Sequence, residues 1–92
     1  MEDNVRKELD VLRGMLNNWK TSFMSWAEPD GDNEHVLLEF REEIQMNLYP
    51  YVRRLYETNH LSSSEATEFM VYCFGQVEEL RAQLREVETS AS

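Results

Sequence analysis

Residues 5–26, VRKELDVLRGMLNNWKTSFMSW, place Val5, Leu9, Leu12, Leu16, Trp19, Phe23 and Trp26 at alternating steps of four and three. An α-helix turns once per about 3.6 residues, so these side chains return to one side and make an unbroken apolar stripe. The same rhythm recurs toward the other end of the chain as Ala66, Met70, Cys73, Val77, Leu80, Leu84 and Val87. Two long amphipathic helices at opposite ends of 92 residues decide most of the fold.

The first helix is predicted over about residues 3–26. Asp3 or Asn4 can accept a hydrogen bond from the free amides of its first turn. Asp3–Lys7 and Glu2–Arg6 stand four apart with the acid first, the better orientation for a helix pair. Gly14, Asn17 and Asn18 weaken the middle, and Gly14 alone costs about 1 kcal/mol relative to Ala. Because the stripe keeps its phase through Trp26, packing is expected to override this weakness. A break near Asn17 is the alternative.

Glu28-Pro29-Asp30-Gly31-Asp32-Asn33 is a turn signal, after which Asp32 or Asn33 can cap a second helix over about 33–58. Its apolar face reads Leu37, Phe40, Ile44, Leu48, Tyr51 and Leu55. Pro50 has no amide hydrogen and crowds the carbonyl of Met46, which predicts a kink or a break. The continuing stripe favours one helix kinked at Pro50 over two separate ones. Thr58, Asn59 and His60 close it.

Ser62 and Glu65 then form a capping box. The Ser62 hydroxyl can accept the Glu65 amide while the Glu65 carboxylate accepts the Ser62 amide, with Leu61 at the staple position. The third helix is predicted over about 63–87, followed by a disordered tail, 88–92. Three helices of roughly 24 residues are each about 36 Å long. Short connections make successive helices antiparallel neighbours, so the expected fold is all-α, an up-down-up antiparallel three-helix bundle in a single domain.

More apolar surface is present than such a core requires. Val11, Met15 and Met24, then Val36, Leu38, Met46, Tyr49, Val52 and Tyr56, then Phe69, Tyr72 and Phe74 stand beside the stripes. Some widen the buried faces. The remainder is expected at the surface, where apolar patches mark interfaces, and small cores gain from partners. Self-association, as a homodimer, follows as an expectation.

Eighteen acidic against nine basic side chains give a formal charge of −9. Nucleic acid is bound largely through Lys and Arg that displace counterions, so this balance argues against it as the main ligand. An acidic chain could instead mimic nucleic acid in another protein's basic cleft. Cys73, the single cysteine, lies on an apolar stripe and reads as a small hydrophobe with no redox partner. The absence of paired cysteines fits a reducing compartment. Met1-Glu2-Asp3-Asn4 resembles neither a signal nor a transit peptide, and no apolar run nears the roughly 20 residues that cross a bilayer. The expectation is a cytoplasmic chain that does not engage a membrane.

One segment stands out as a candidate site. Tyr49, Tyr51 and Tyr56 flank Arg53 and Arg54 beside Pro50, and Tyr and Arg are enriched at interface hot spots. Half-buried packing plus an ordinary Arg53–Glu57 pair is the plainer explanation; RNA stacking on these groups is the more remote one. Glu28, Asp30, Asp32 and Glu39 imitate the spacing of a calcium loop, but Asn33 stands where that loop needs glycine. His35 and Glu39 share a helix side with Glu42 and Glu43 one turn on, yet no Glu-x-x-His occurs and these acids face water. Gly14 and Gly75 sit inside helices against propensity, marking either a close approach or tolerated weakness. No phosphate loop, catalytic triad or buried acid pair is present, so no catalytic residue, metal or cofactor is expected. The functional expectation is a small acidic module that binds another protein through a helix face. An acidic nucleic-acid mimic is the alternative, and a small enzyme with a site shared across a dimer interface is a third.

Overall fold

The structure, a computed structural model, describes residues 2–28 and 33–91. Helix α1 (Asp3–Met24) leads to α2 (Glu34–Glu43), a π-helical turn (Ile44–Leu48) and α3 (Tyr49–Glu57), and α4 (Ser63–Ala91) follows. The run from α2 through the π turn to α3 is uninterrupted, so the chain is all-helical with three helical rods and no strand among the described residues. The predicted turn at 28–33 falls largely on residues 29–32, which lie outside the described residues, as do the Asp32 cap and most of the calcium-like spacing.

The rods meet side by side. Phe23 of α1 lies 5.6 Å from Phe40 of α2, the Tyr51 hydroxyl donates to Glu8, and His60 Nδ1 lies 3.7 Å from the Glu2 carboxylate. Arg81 of α4 forks onto both carboxylate oxygens of Glu34 at 3.0 and 3.2 Å, and Arg41 lies over the Phe74 ring. Between α1 and α4, Lys20 donates to Gln76 and Glu79, while the Arg13 guanidinium covers Phe69 and Tyr72.

The stripe on α1 is buried from Val5 to Phe23 apart from Trp19, which is half-buried. Trp26 departs from expectation. The helix ends at Met24, and Trp26 lies beyond it, 54% exposed, its ring edge-on to Phe23. The ending tightens step by step: the Ser25 amide is shared between the Thr21 and Ser22 carbonyls, the Trp26 amide bonds three residues back to Phe23, and the Ser25 hydroxyl also donates to the Ser22 carbonyl. Gly14, Asn17 and Asn18 do not break the helix. An added Cβ at Gly14 or Gly75 would meet nothing within 4 Å, so neither glycine serves close packing inside the chain.

The second rod departs more instructively. Val36, Phe40, Ile44, Leu48 and Val52 are all fully buried, a strict series of fours. In an α-helix each step of four overshoots a full turn by about 40°, so such a series would spiral off the core. The π turn, closed by Tyr49 donating to the carbonyl of Ile44 five residues back, is wider and takes up most of the drift. As a result Val52 takes the core position assigned by regular spacing to Tyr51, which is 40% exposed. Pro50 falls in the first turn of α3, immediately after the π turn, where its fixed φ suits the helix.

The rod closes on Asn59, whose φ of 64° is left-handed; His60 donates to Leu55 at 2.8 Å and Asn59 to Tyr56. Asparagine tolerates this conformation, and the paired bonds satisfy the last carbonyls. The capping box forms as predicted: Ser62 donates its amide to Glu65 Oε1 at 2.8 Å, Glu65 its amide to Ser62 Oγ at 3.1 Å, and Leu61 is buried beside them. The other caps differ. The residue at the start of α1 is Glu2, so neither Asp3 nor Asn4 caps it, and Glu2–Arg6 and Asp3–Lys7 do not pair. Asn33 precedes α2 but turns its amide inward. Helix α4 runs on past Val87 to Ala91, so residues 88–91, expected as tail, are helical.

Candidate functional site

The five side chains of the Tyr49–Tyr56 segment divide between two sides of α3. Positions 49, 53 and 56 share one side at steps of four and three, whereas 51 and 54 fall off it. Tyr49, Arg53 and Tyr56, with Val52 beneath, form one wall of an open groove of about 560 Å³. The opposite wall comes from α4: Ser63, Ala66, Thr67, Met70, Val71 and Phe74. Val52 is buried, Ala66, Met70 and Phe74 are half-buried, and Tyr49, Tyr56 and Val71 stand exposed.

Ala66 and Ser63 on α4 leave space that Tyr49 and Tyr56 border, and Val71 is 67% exposed although β-branched and apolar. The groove's lining is also electrostatically distinct. None of the ten residues is acidic in a chain with 18 acids, and Arg53 is the charged member. The Arg53 Nε donates to Glu57 at 2.7 Å, the predicted helix pair, which holds the guanidinium proton more tightly than usual. Both partners are exposed, so water screens the pair and it holds Arg53 only weakly.

Tyr51 and Arg54 face α1 instead, bordering a polar recess with Glu2, Asn4, Glu8 and His60. The Tyr51 hydroxyl donates to Glu8 Oε2 at 2.9 Å. That bond raises the phenol's pKa, with smaller contributions from burial and from the carboxylate's charge, since ionising it would lose the bond and oppose two anions. Arg54 makes no ion pair with a described residue.

The α4 wall was missed by sequence reasoning. Ala66 and Met70 read as core, and Phe74 only as surplus apolar surface. Val71 carried the one usable signal, a β-branched apolar residue off the stripe, between Thr67 and Phe74 at helical steps. Elsewhere, Phe23, Trp26 and Met46 border a recess with Glu39, Glu42 and Glu43. Among the described residues no three metal-binding side chains gather, and no helix is long and apolar enough to cross a membrane. Cys73 is fully buried, and desolvation pushes its thiol up to about 11, although Arg13 pulls the other way.

Comparison with known protein families, with curated proteins and with solved structures finds no match for this chain.

Proposed function

We propose that the protein is a small acidic helical module that binds another protein, with the α3–α4 groove as its contact surface. The single observation that carries this reading is the groove itself: exposed Tyr49, Tyr56 and Val71 around an apolar floor, with an arginine on the wall. Covering apolar surface held open to water is favourable, and Tyr and Arg add directional contacts. Of the segment's five candidate residues, Tyr49, Arg53 and Tyr56 form this contact, and Tyr51 and Arg54 border it from the α1 side. The reading includes an up-down-up antiparallel arrangement, supported by the pairings Phe23–Phe40, Glu8–Tyr51 and Glu34–Arg81, and a bend of the second rod at Pro50, supported by the π turn beside it. It also includes self-association and a cytoplasmic setting.

The test compares immobilised wild-type chain with the double variant Arg53→Ala, Tyr56→Ala in affinity capture followed by mass spectrometry. Proteins retained by the wild type and lost from the variant, at unchanged circular dichroism, are the expected result. Identical capture by both chains would remove the groove from the interaction. The rival reading, an acidic mimic of nucleic acid, predicts retention that collapses between low and physiological salt and depends on carboxylates rather than on Tyr56.

A further inference from the structure

The absence of carboxylates from the groove is a statement about its ligand. Acids outnumber bases two to one along the chain, yet the groove lining holds Arg53 and no acid. At one end of the groove is Phe74, and over its ring, 5.8 Å from the centroid, lies the guanidinium of Arg41. Arg41 makes no ion pair with a described residue, and the exposed Arg53–Glu57 pair exchanges readily for another carboxylate. Two arginines thus lie along the groove, one midway on its α3 wall between Tyr49 and Tyr56 and one past its Phe74 end. They are 12 positions apart on one continuous helical run, about 18 Å at 1.5 Å per residue.

An elongated apolar groove between two helices accepts a third helix through its apolar face. A ligand helix of about three turns spans the distance between the arginines. We propose that the groove binds an amphipathic helical segment of a partner protein that carries a carboxylate near each end, one meeting Arg53 and the other Arg41. This deepens the binding role argued above and rests on it. The net charge of −9 does not forbid an acidic ligand. At physiological ionic strength charges act over about 8 Å, so the arginines beside the groove govern what it accepts.

The probe is a synthetic three-turn helix with leucines on one face and a glutamate at each end, compared with the same peptide bearing lysines. Binding to the full chain is read by fluorescence anisotropy, with helical content checked for every variant. The glutamate peptide should bind more tightly than the lysine peptide. Arg53→Glu and Arg41→Glu should each weaken it by roughly tenfold, the usual scale for reversing one charge contact. Val71→Glu should do the same, whereas Val71→Lys, equally exposed, should leave binding intact or stronger. If Val71→Glu and Val71→Lys are equivalent, the electrostatic part of the proposal falls. A lysine peptide that binds as tightly or more tightly, and is lost on Tyr56→Ala, overturns the acidic ligand while keeping the groove as a binding site. Failure of both peptides together with unchanged partner capture by the Arg53→Ala, Tyr56→Ala variant overturns the groove altogether. A second copy of the chain as occupant, seen as dimers that Val71→Glu dissociates while neither peptide binds, would also overturn it.

Discussion

Asn33 is a buried polar side chain, 2% exposed, and its three hydrogen bonds tie the chain together at one end. Its Oδ1 accepts from the Glu28 amide at 2.8 Å, and its Nδ2 donates to the Glu28 carbonyl and to Glu88 Oε1, both at 3.1 Å. The connection between α1 and α2 is thereby fastened to the last part of α4, and a side chain legible from local pattern only as a helix cap serves a tertiary contact. Only an amide offers both a donor and an acceptor in this shape. Asn33→Ala should cost about 1–3 kcal/mol, the scale for leaving buried partners unpaired. Asn33→Asp should cost more despite its equal size, because it replaces the donor with an anion facing the Glu28 carbonyl and the Glu88 carboxylate. Urea unfolding of both variants checks the order; equal losses would mean the site is wet. Cys73 makes a second case at this scale. With its thiol buried and pushed up to about 11, it should resist thiol reagents in the folded chain at neutral pH and react only when urea unfolds it. Below the ordinary thiol pKa both states are protonated and Cys73 is silent. As pH rises from there toward about 11 the unfolded thiol ionises first, so stability falls. A Cys73→Ala chain should lose that part of the alkaline decline, which denaturation midpoints across this range would measure.

The elements divide by how their pattern arises. Steps of three and four on α1 and α4 are local and periodic, and the buried sets Val5 to Leu16 and Cys73 to Leu84 could be read directly from spacing. The Ser62–Glu65 box was equally legible, since all its groups lie within four residues. Ser62→Ala should cost about 1 kcal/mol. The reciprocal bond, from the Ser62 amide to the carboxylate, holds the Glu65 carboxyl below its ordinary pKa, so its contribution is present above the unfolded value and lost as pH falls through the lowered one. Acid titration of stability in Glu65→Gln against wild type should show that slope diminished. The second rod was not legible, because a single wide turn displaces every later residue by one position relative to an α-helix. Tyr51 therefore left the core and Val52 entered it, and with them the wall of the groove changed membership. Deleting Met46, exposed within the π turn, offers a direct check. It shortens the Ile44 to Leu48 spacing from four to three, after which the buried set follows α-helical steps and still faces the core. Combined with Pro50→Ala, so that no proline stands inside the regular helix, the deletion should therefore fold with undiminished helical content and little loss of stability. Deleting Gly75 from α4 instead rotates Val77, Leu80 and Leu84 by about 100° and should unfold the chain. Comparable damage from the two deletions would mean that the π turn is required for some reason other than phase.

At the scale of the whole molecule the dimensions matter most. The chain is a rod of 50 × 19 × 18 Å with a radius of gyration of 15.0 Å, against about 12 Å expected for a compact domain of this length. An elongated shape exposes more surface per buried side chain, so the core is one layer thick and the stability margin small. Apolar residues exposed along the rod, Val11 and Met15 on α1 and Val71 on α4, then offer stabilisation through contact with another chain. These surfaces are distinct, since Val71 lines the groove while Val11 and Met15 stand on the first helix. The proposed self-association therefore need not occupy the groove proposed for a partner. Sedimentation velocity over a range of concentrations should show a concentration-dependent dimer. If α1 carries that contact, Val11→Glu with Met15→Glu should shift the chain toward monomer, lower its midpoint in urea at high protein concentration and leave it unchanged at low concentration. That concentration dependence is the required signature, because a substitution that merely weakened the monomer would lower both midpoints alike. A chain that stays monomeric at every concentration would assign the exposed face of α1 no role in self-association and leave the rod to be stabilised by its partner alone.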